Sequence, residues 1–217
     1  MGIFFFVILF VSNISASSIT VLSLKNGDSA ILIGKTDGLL RVIKNNNGSY
    51  NNIKEFFISY GQKGGSKTKE GDYKTPEGIY FATSIKTKHD LNNLPEEIYG
   101  TYAIPLNYPN SIDKKKGASG YGIWLHGTDS EEKLSGKNVT KGCIIMENTD
   151  INQLVKLIRL MKTPIVICSS LKDIKFSSTV TENTLVSFSS GSEKYRVTIQ
   201  NSDTLAKSSK VLYEDVK

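Results

Sequence analysis

Short apolar runs separated by turn residues set the rhythm of the chain. Residues 19–24 (ITVLSL) and 29–35 (SAILIGK) read as strands, with Lys25-Asn26-Gly27-Asp28 between them as a turn whose strongest signal is Asn-Gly. Residues 39–44 predict a third strand, closed by the Asn-rich turn 45–48, and residues 54–60 (KEFFISY) a fourth. Residues 61–74 (GQKGGSKTKEGDYK) have no apolar period and predict an exposed loop. Thr75-Pro76-Glu77-Gly78 then turns into a strand over 79–84. Residues 86–119, interrupted by Pro95, Pro105 and Pro109, predict irregular surface structure. Residues 121–126 (YGIWLH) and 142–146 (GCIIM) are strand-like, and the polar stretch 131–141 between them reads as loop. Helical spacing shows over 150–161, where Ile151, Leu154, Val155, Ile158 and Met161 share a face, with Asp150 and Gln153 spaced as a capping box. Residues 164–168 (PIVIC) return as a strand. Residues 184–189 and 194–200 alternate around Ser190-Gly191 as a hairpin, and the polar last 17 residues predict a loose tail. The sum is a β-rich α+β fold with one main helix and no internal repeat.

The first eleven residues (MGIFFFVILFV) are apolar, too few to span a bilayer, and are followed by the small and polar residues 12–18. That pattern suits a signal peptide over 1–18, although no Lys or Arg precedes the apolar run. Export to the periplasm or cell envelope is the resulting expectation, with no stable membrane insertion once the leader is removed. The expected domain plan is leader 1–18, a main domain over 19–170, and a small β-hairpin extension with a polar tail over 171–217.

With 39% apolar and 22% charged residues among 217, the chain can bury a sizeable core. A net charge of +6 favours polyanionic surroundings in general. No segment interleaves clustered Arg with aromatics, so nucleic acid is not an expected partner. Two cysteines, Cys143 and Cys168, make no disulfide framework, and neither is spaced from another Cys or a His as zinc ligands are. Neither a metal nor any other cofactor is expected.

The chemistry concentrates in Trp124-Leu125-His126-Gly127-Thr128 and Thr140-Lys141-Gly142-Cys143-Ile144. A thiol attacks as thiolate, and a neighbouring imidazole supplies that state. Two adjacent strands joined by the intervening loop would bring His126 to Cys143. The Gly127 carbonyl could fix the imidazole tautomer, and the amides of Gly142 and Cys143 could form an oxyanion hole. On bare chemistry the alternatives stay open, because a cysteine in an apolar run is commonly a small core residue and a histidine beside it a hydrogen-bonded one.

These residues resemble the signature of the L,D-transpeptidase catalytic domain, the YkuD-type fold, in which His-Gly precedes Ser/Thr-x-Gly-Cys. Gly71-Asp72-Tyr73-Lys74-Thr75-Pro76-Glu77-Gly78-Ile79-Tyr80 resembles that family's Gly-Asp-x-x-Thr-Pro-x-Gly segment. Tyr108-Pro109-Asn110 and Gly120-Tyr121-Gly122-Ile123-Trp124 resemble the stretch leading into its histidine. The similarity covers roughly residues 30–168. It implies a YkuD-like mixed β-sheet sandwich, Cys143 as nucleophile, His126 as base, and Gly127, Thr140, Lys141 and Gly142 shaping the substrate pocket and oxyanion site. The implied substrates are peptidoglycan tetrapeptide stems, which lose the terminal D-alanine and pass the acyl group to an amine or to water. Many members carry Arg two residues after the cysteine, where this chain has Ile145. Together with Tyr108-Pro109-Asn110 and Gly122-Ile123-Trp124-Leu125-His126-Gly127, that departure resembles a branch that includes L,D-carboxypeptidases.

Two other classes fit the residues less well. A non-catalytic wall-binding module would dispense with the Cys or the His, and both are present. Papain-like wall peptidases place Cys before His, and here His126 comes first. His89 reads as solvated, Cys168 and Trp124 as core, and the lysines of 63–74 as a solvated face or the rim of a groove for an anionic glycan.

Overall fold

The computed structural model describes residues 19–91, 99–135, 139–177, 184–190, 193–200 and 210–215. The elements, in chain order, are β1 (Ile19–Ser23), β2 (Ser29–Gly34), β3 (Leu39–Asn46), β4 (Ser49–Phe57), β5 (Gly78–Tyr80), β6 (Lys86–Thr87) and β7 (Tyr102–Pro105). They continue with α1 (Ser111–Lys115), β8 (Trp124–Thr128), α2 (Glu131–Ser135), β9 (Ile144–Glu147), α3 (Asn148–Leu154), β10 (Ile165–Cys168) and β11 (Ile174–Phe176). The C-terminal strands are β12 (Thr184–Ser190), β13 (Glu193–Gln200) and β14 (Lys210–Asp215).

Strands 2 and 10 are apolar on both faces, and a strand of that kind needs cover on both sides. The central sheet, ordered β4-β3-β2-β10-β5, supplies that position. Ile31, Ile33, Ile165 and Ile167 point to one hydrophobic cluster, shared with Leu125, Ile144 and Met146 of the four-stranded sheet β6-β7-β8-β9 and with Ile151 and Leu154 of α3. Ala30, Leu32, Val166 and Cys168 point the other way, to a cluster with Leu22, Leu24 and Ile174. Strand 1 and the C-terminal strands form an outer sheet, ordered β11-β1-β12-β13-β14. The architecture is a strand-rich sandwich of mixed sheets with a few short helices, in keeping with the fold class read from the sequence.

Several local expectations are corrected. The Asn-Gly turn is present, with Gly27 at φ +82°, but β1 pairs with β11 and β12 in the outer sheet while β2 pairs with β3 and β10. The expected turn therefore stands, and it links two sheets. The helix starts at Asn148, ends at Leu154 and tightens to a 3₁₀ turn over Val155–Leu157, well short of residue 161. Its N-cap is Glu147, which makes no side-chain capping bond, so the Asp150–Gln153 box is not used. Tertiary bonds take precedence, because the Thr101 amide donates to Asn148 Oδ1 at 2.9 Å. At the other end Ile158 is buried in extended conformation and Met161 takes φ +53°, turning the chain into β10.

The stretch expected to be irregular contains β6, β7 and α1; β7 is four residues long, too short to show a period, and is held by pairing Ile104 with Leu125. Residues 131–141 contain α2 where loop was expected. The exposed loop expected over 61–74 is exposed in part only, because Lys67 and Asp72 bury as an ion pair at 2.8 Å. The hairpin has the register Val186 to Val197 and Phe188 to Tyr195, and β14 pairs with β13 where a loose tail was expected. The leader 1–18 lies outside the described residues.

Candidate active site

Strand alternation brings the reactive groups to one face. Strands 8 and 9 pair in parallel, with Leu125 opposite Ile144 and His126 opposite Ile145. Leu125, Ile144 and Met146 enter the core, so His126 and Ile145 face the other way, and Cys143, two residues before Ile145, precedes the strand on that same side. A parallel pair cannot close with a tight turn and needs a crossover. From the connection between them, Lys133 of α2 and residues 139–141 form a wall of a cleft of about 370 Å³. His126, Cys143 and Ile145 line this cleft together with Thr140 and Lys141, as do Tyr99, Lys133 and Val139.

His126 is 4% exposed, and its Nδ1 lies 2.9 Å from the Gly127 carbonyl oxygen. A carbonyl only accepts, so Nδ1 carries the proton and Nε2 is left as the basic nitrogen. Burial pushes the imidazole down to about 4; the Gly127 carbonyl opposes this and the Lys133 charge adds to it. The Tyr99 ring lies 5.1 Å from the imidazole and 5.1 Å from Trp124.

Cys143 is half-buried, and its Sγ lies 3.4 Å from the Gly122 carbonyl oxygen. Burial raises its thiol above the ordinary value, against the Trp124 amide and the Lys67 charge, which lower it. Both groups are therefore neutral at rest. Neither direction of shift favours a standing thiolate–imidazolium ion pair between them. The second thiol, Cys168, is 1% exposed and pushed up to about 12 by burial, which leaves it unreactive.

The turn that carries Cys143 is braced from three sides. Thr140 Oγ1 donates to the Cys143 carbonyl at 2.6 Å and accepts the Gly142 amide at 3.0 Å. Thr140 also bonds the main chain of Tyr60 and Gln62, and Ser59 and Ile145 exchange two backbone bonds. From below, the fully buried Thr75 accepts from the Gly61 amide at 3.0 Å and donates to the Gly142 carbonyl at 2.9 Å. Gly142 itself adopts φ +134°, and a Cβ there would lie 2.7 Å from the Lys74 carbonyl oxygen. Lys35, buried, donates to the Thr75 carbonyl at 3.2 Å and pairs with Glu77 at 2.8 Å.

All six residues singled out from the sequence thus stand in or beside one cleft, with Gly127 holding the imidazole as expected, but the glycines add details. The Gly142 amide is already bonded to Thr140 Oγ1, which leaves the Cys143 amide as the oxyanion candidate of the pair. The absent side chain of Gly127 makes room for α3, since a Cβ would meet Asn148 Oδ1 at 2.2 Å and Ile151 Cγ2 at 2.9 Å. Trp124, expected in the core, is half-buried against Tyr99, because it shares the face of His126 and not that of Leu125. Sequence reasoning missed Tyr99, Lys133 and the bracing role of Thr75. Tyr99 and Lys133 sit in stretches without periodicity, whereas Thr75 was visible as part of a motif but had no assigned contact.

Comparisons with known proteins converge. Residues 28–167 match the family model described as the L,D-transpeptidase catalytic domain (YkuD). The chain is 29% identical over 94 residues to YafK of Escherichia coli (strain K12), which is 43% of this chain and 32% of that protein. It thus spans about a third of the length of the curated relatives it matches. Among solved structures, the helical cell shape determining protein Pgp2 of Campylobacter jejuni, as a K307A mutant, is 29% identical with a TM-score of 0.54, covering 71% of this chain and 50% of that one. A second Pgp2 structure reaches 0.58 at 19% identity, covering 94% and 91%. Bd1075 of Bdellovibrio bacteriovorus reaches 0.57 at 22% identity, covering 93% and 97%, a likeness of fold.

Proposed function

Because this chain belongs to the L,D-transpeptidase catalytic domain family, we propose that it cuts tetrapeptide stems of peptidoglycan through a thioester on Cys143, with His126 as general base. The observation that carries the reading is that the parallel register of β8 and β9 turns both residues into one cleft, with Nδ1 of the imidazole tied to Gly127. As Sγ attacks the carbonyl carbon between the third residue and the terminal D-alanine, its proton passes to Nε2. The Cys143 amide faces the developing oxyanion. The imidazolium then protonates the departing nitrogen, the C–N bond breaks, and free D-alanine leaves an acyl-enzyme. An incoming amine loses its proton to His126, takes the acyl group, and the C–S bond breaks to restore the thiol.

Water can replace the amine, giving a tripeptide and an L,D-carboxypeptidase. Ile145 in the place where many members have Arg favours this second reading, as does the likeness to a protein that determines helical cell shape. The place of action in either case is the cell envelope, where the polymer lies.

Incubating the protein with tetrapeptide muropeptides and weighing the products tests both. Crosslinked dimers identify the transferase and bare tripeptide the hydrolase, and Cys143→Ala abolishes either. Unchanged muropeptides, with the thiol shown to be reduced, overturn the enzyme reading in favour of a non-catalytic wall-binding module.

A further inference from the structure

The acyl-transfer reading leaves the selectivity of the cleft unexplained. Of the described residues lining the cleft, two are cationic, Lys133 and Lys141, and none carries a carboxylate. Lys133 is half-buried on α2, whose start is fixed by the Lys133 amide on Ser130 Oγ at 3.3 Å. Among the described residues its ammonium meets no acidic partner. Such a charge in a recess is a recognition element for an anion, because desolvating it without a partner costs more than leaving it in water.

Resting on that reading, we propose that Lys133 binds the terminal carboxylate of the residue that leaves, so that the cleft selects acyl donors ending in a free acid. Connectivity places the carboxylate. The departing nitrogen takes its proton from His126, so it lies within hydrogen-bond reach of that ring. In an α-amino acid the carboxyl carbon stands two bonds from that nitrogen, so the acid group stays beside the imidazole. Both lysines line the cleft with His126, but Lys133 is the one whose charge acts on the imidazole, and its flexible four-carbon stem lets the ammonium follow a bound acid. Lys141 instead precedes the Gly142-Cys143 turn and is exposed. The selection has a consequence for the polymer. A stem whose last residue is already joined to another lacks the acid and is refused, so the protein works at stem ends and leaves existing crosslinks intact.

The test uses the full chain with Cys143→Ala, in which binding is read without turnover. Calorimetry compares three synthetic stems: the tetrapeptide acid, its C-terminal carboxamide, and the tetrapeptide amidated on the third residue's side-chain carboxylate. One hydrogen-bonded charge predicts that the C-terminal carboxamide binds roughly ten- to hundredfold more weakly than the acid. Adding Lys133→Gln removes that difference, and Lys133→Arg restores most of it. Side-chain amidation leaves the Lys133 contribution intact. Equal affinities for acid and carboxamide, or no binding of any stem, overturn the proposal. So does a preference that survives Lys133→Gln or that moves to the side-chain carboxylate. Wild-type protein run in parallel separates the two ideas, because discrimination without D-alanine release keeps the carboxylate site and defeats the acyl-transfer reading.

Discussion

Burial acts in opposite senses on the two reactive groups, lowering the basicity of the His126 imidazole and raising the Cys143 thiol. The thiol alone would therefore be a poor nucleophile at neutral pH, and the proposed mechanism relies on proton transfer to Nε2. The sign of the pH dependence follows. With the imidazole at about 4, the ring stays neutral and able to accept a proton until the medium becomes markedly acidic. The acidic limb of kcat/KM for D-alanine release is expected near pH 4 to 5, about two units below that of a solvated histidine. A limb near pH 6.5 would mean that the ring is not buried as described. In the same protein, alkylation of Cys143 by iodoacetamide rises only above the ordinary thiol range, since no ion pair holds the thiolate.

At the level of elements, a threonine far from Cys143 in sequence controls how that cysteine is presented. Thr75 Oγ1 joins the Gly61 amide to the Gly142 carbonyl inside a fully buried site, so both partners depend on one oxygen. Thr75→Val keeps the volume and removes the bridge, leaving two buried backbone groups unpaired. About 2–4 kcal/mol of stability is expected to go with it, read as a shift in the urea midpoint. Turnover falls with it because the cysteine turn loses its floor, whereas Thr75→Ser keeps the hydroxyl and most of both. Equal stability of the valine variant would show that the bridge is dispensable. The crossover from β8 to β9 is the other controlling element. A parallel pair forces the chain back over the sheet, and that return path is what lays Lys133 and Val139 along the cleft.

For the whole molecule, burying a neutral imidazole ties stability to pH. The unfolded chain binds a proton on His126 near 6.5 and the folded chain only near 4, so between those values the unfolded state holds more protons and stability falls as pH falls. From pH 7 to 4.5 the loss is roughly 2–3 kcal/mol, and it shrinks in His126→Gln, as denaturant titrations at the two pH values would reveal. Asp72, held well below the usual carboxylate range by Lys67 and three backbone amides against the cost of burial, adds a loss of the same sign at still lower pH. The sequence alone determined the strand-rich class, the placing of His126 and Cys143 at the edges of two strands, and the core position of Cys168, because alternation and apolar composition are local properties of a few residues. It could not determine that β1 leaves its neighbour for an outer sheet, that the helix stops at Leu154, or that Gly142 gives up its amide to Thr140. Nor could it place Thr75 beneath the cysteine turn or Tyr99 and Lys133 on the cleft. Those outcomes depend on which distant segments compete for the same backbone groups and the same space, and that competition is settled only when the sheets pack.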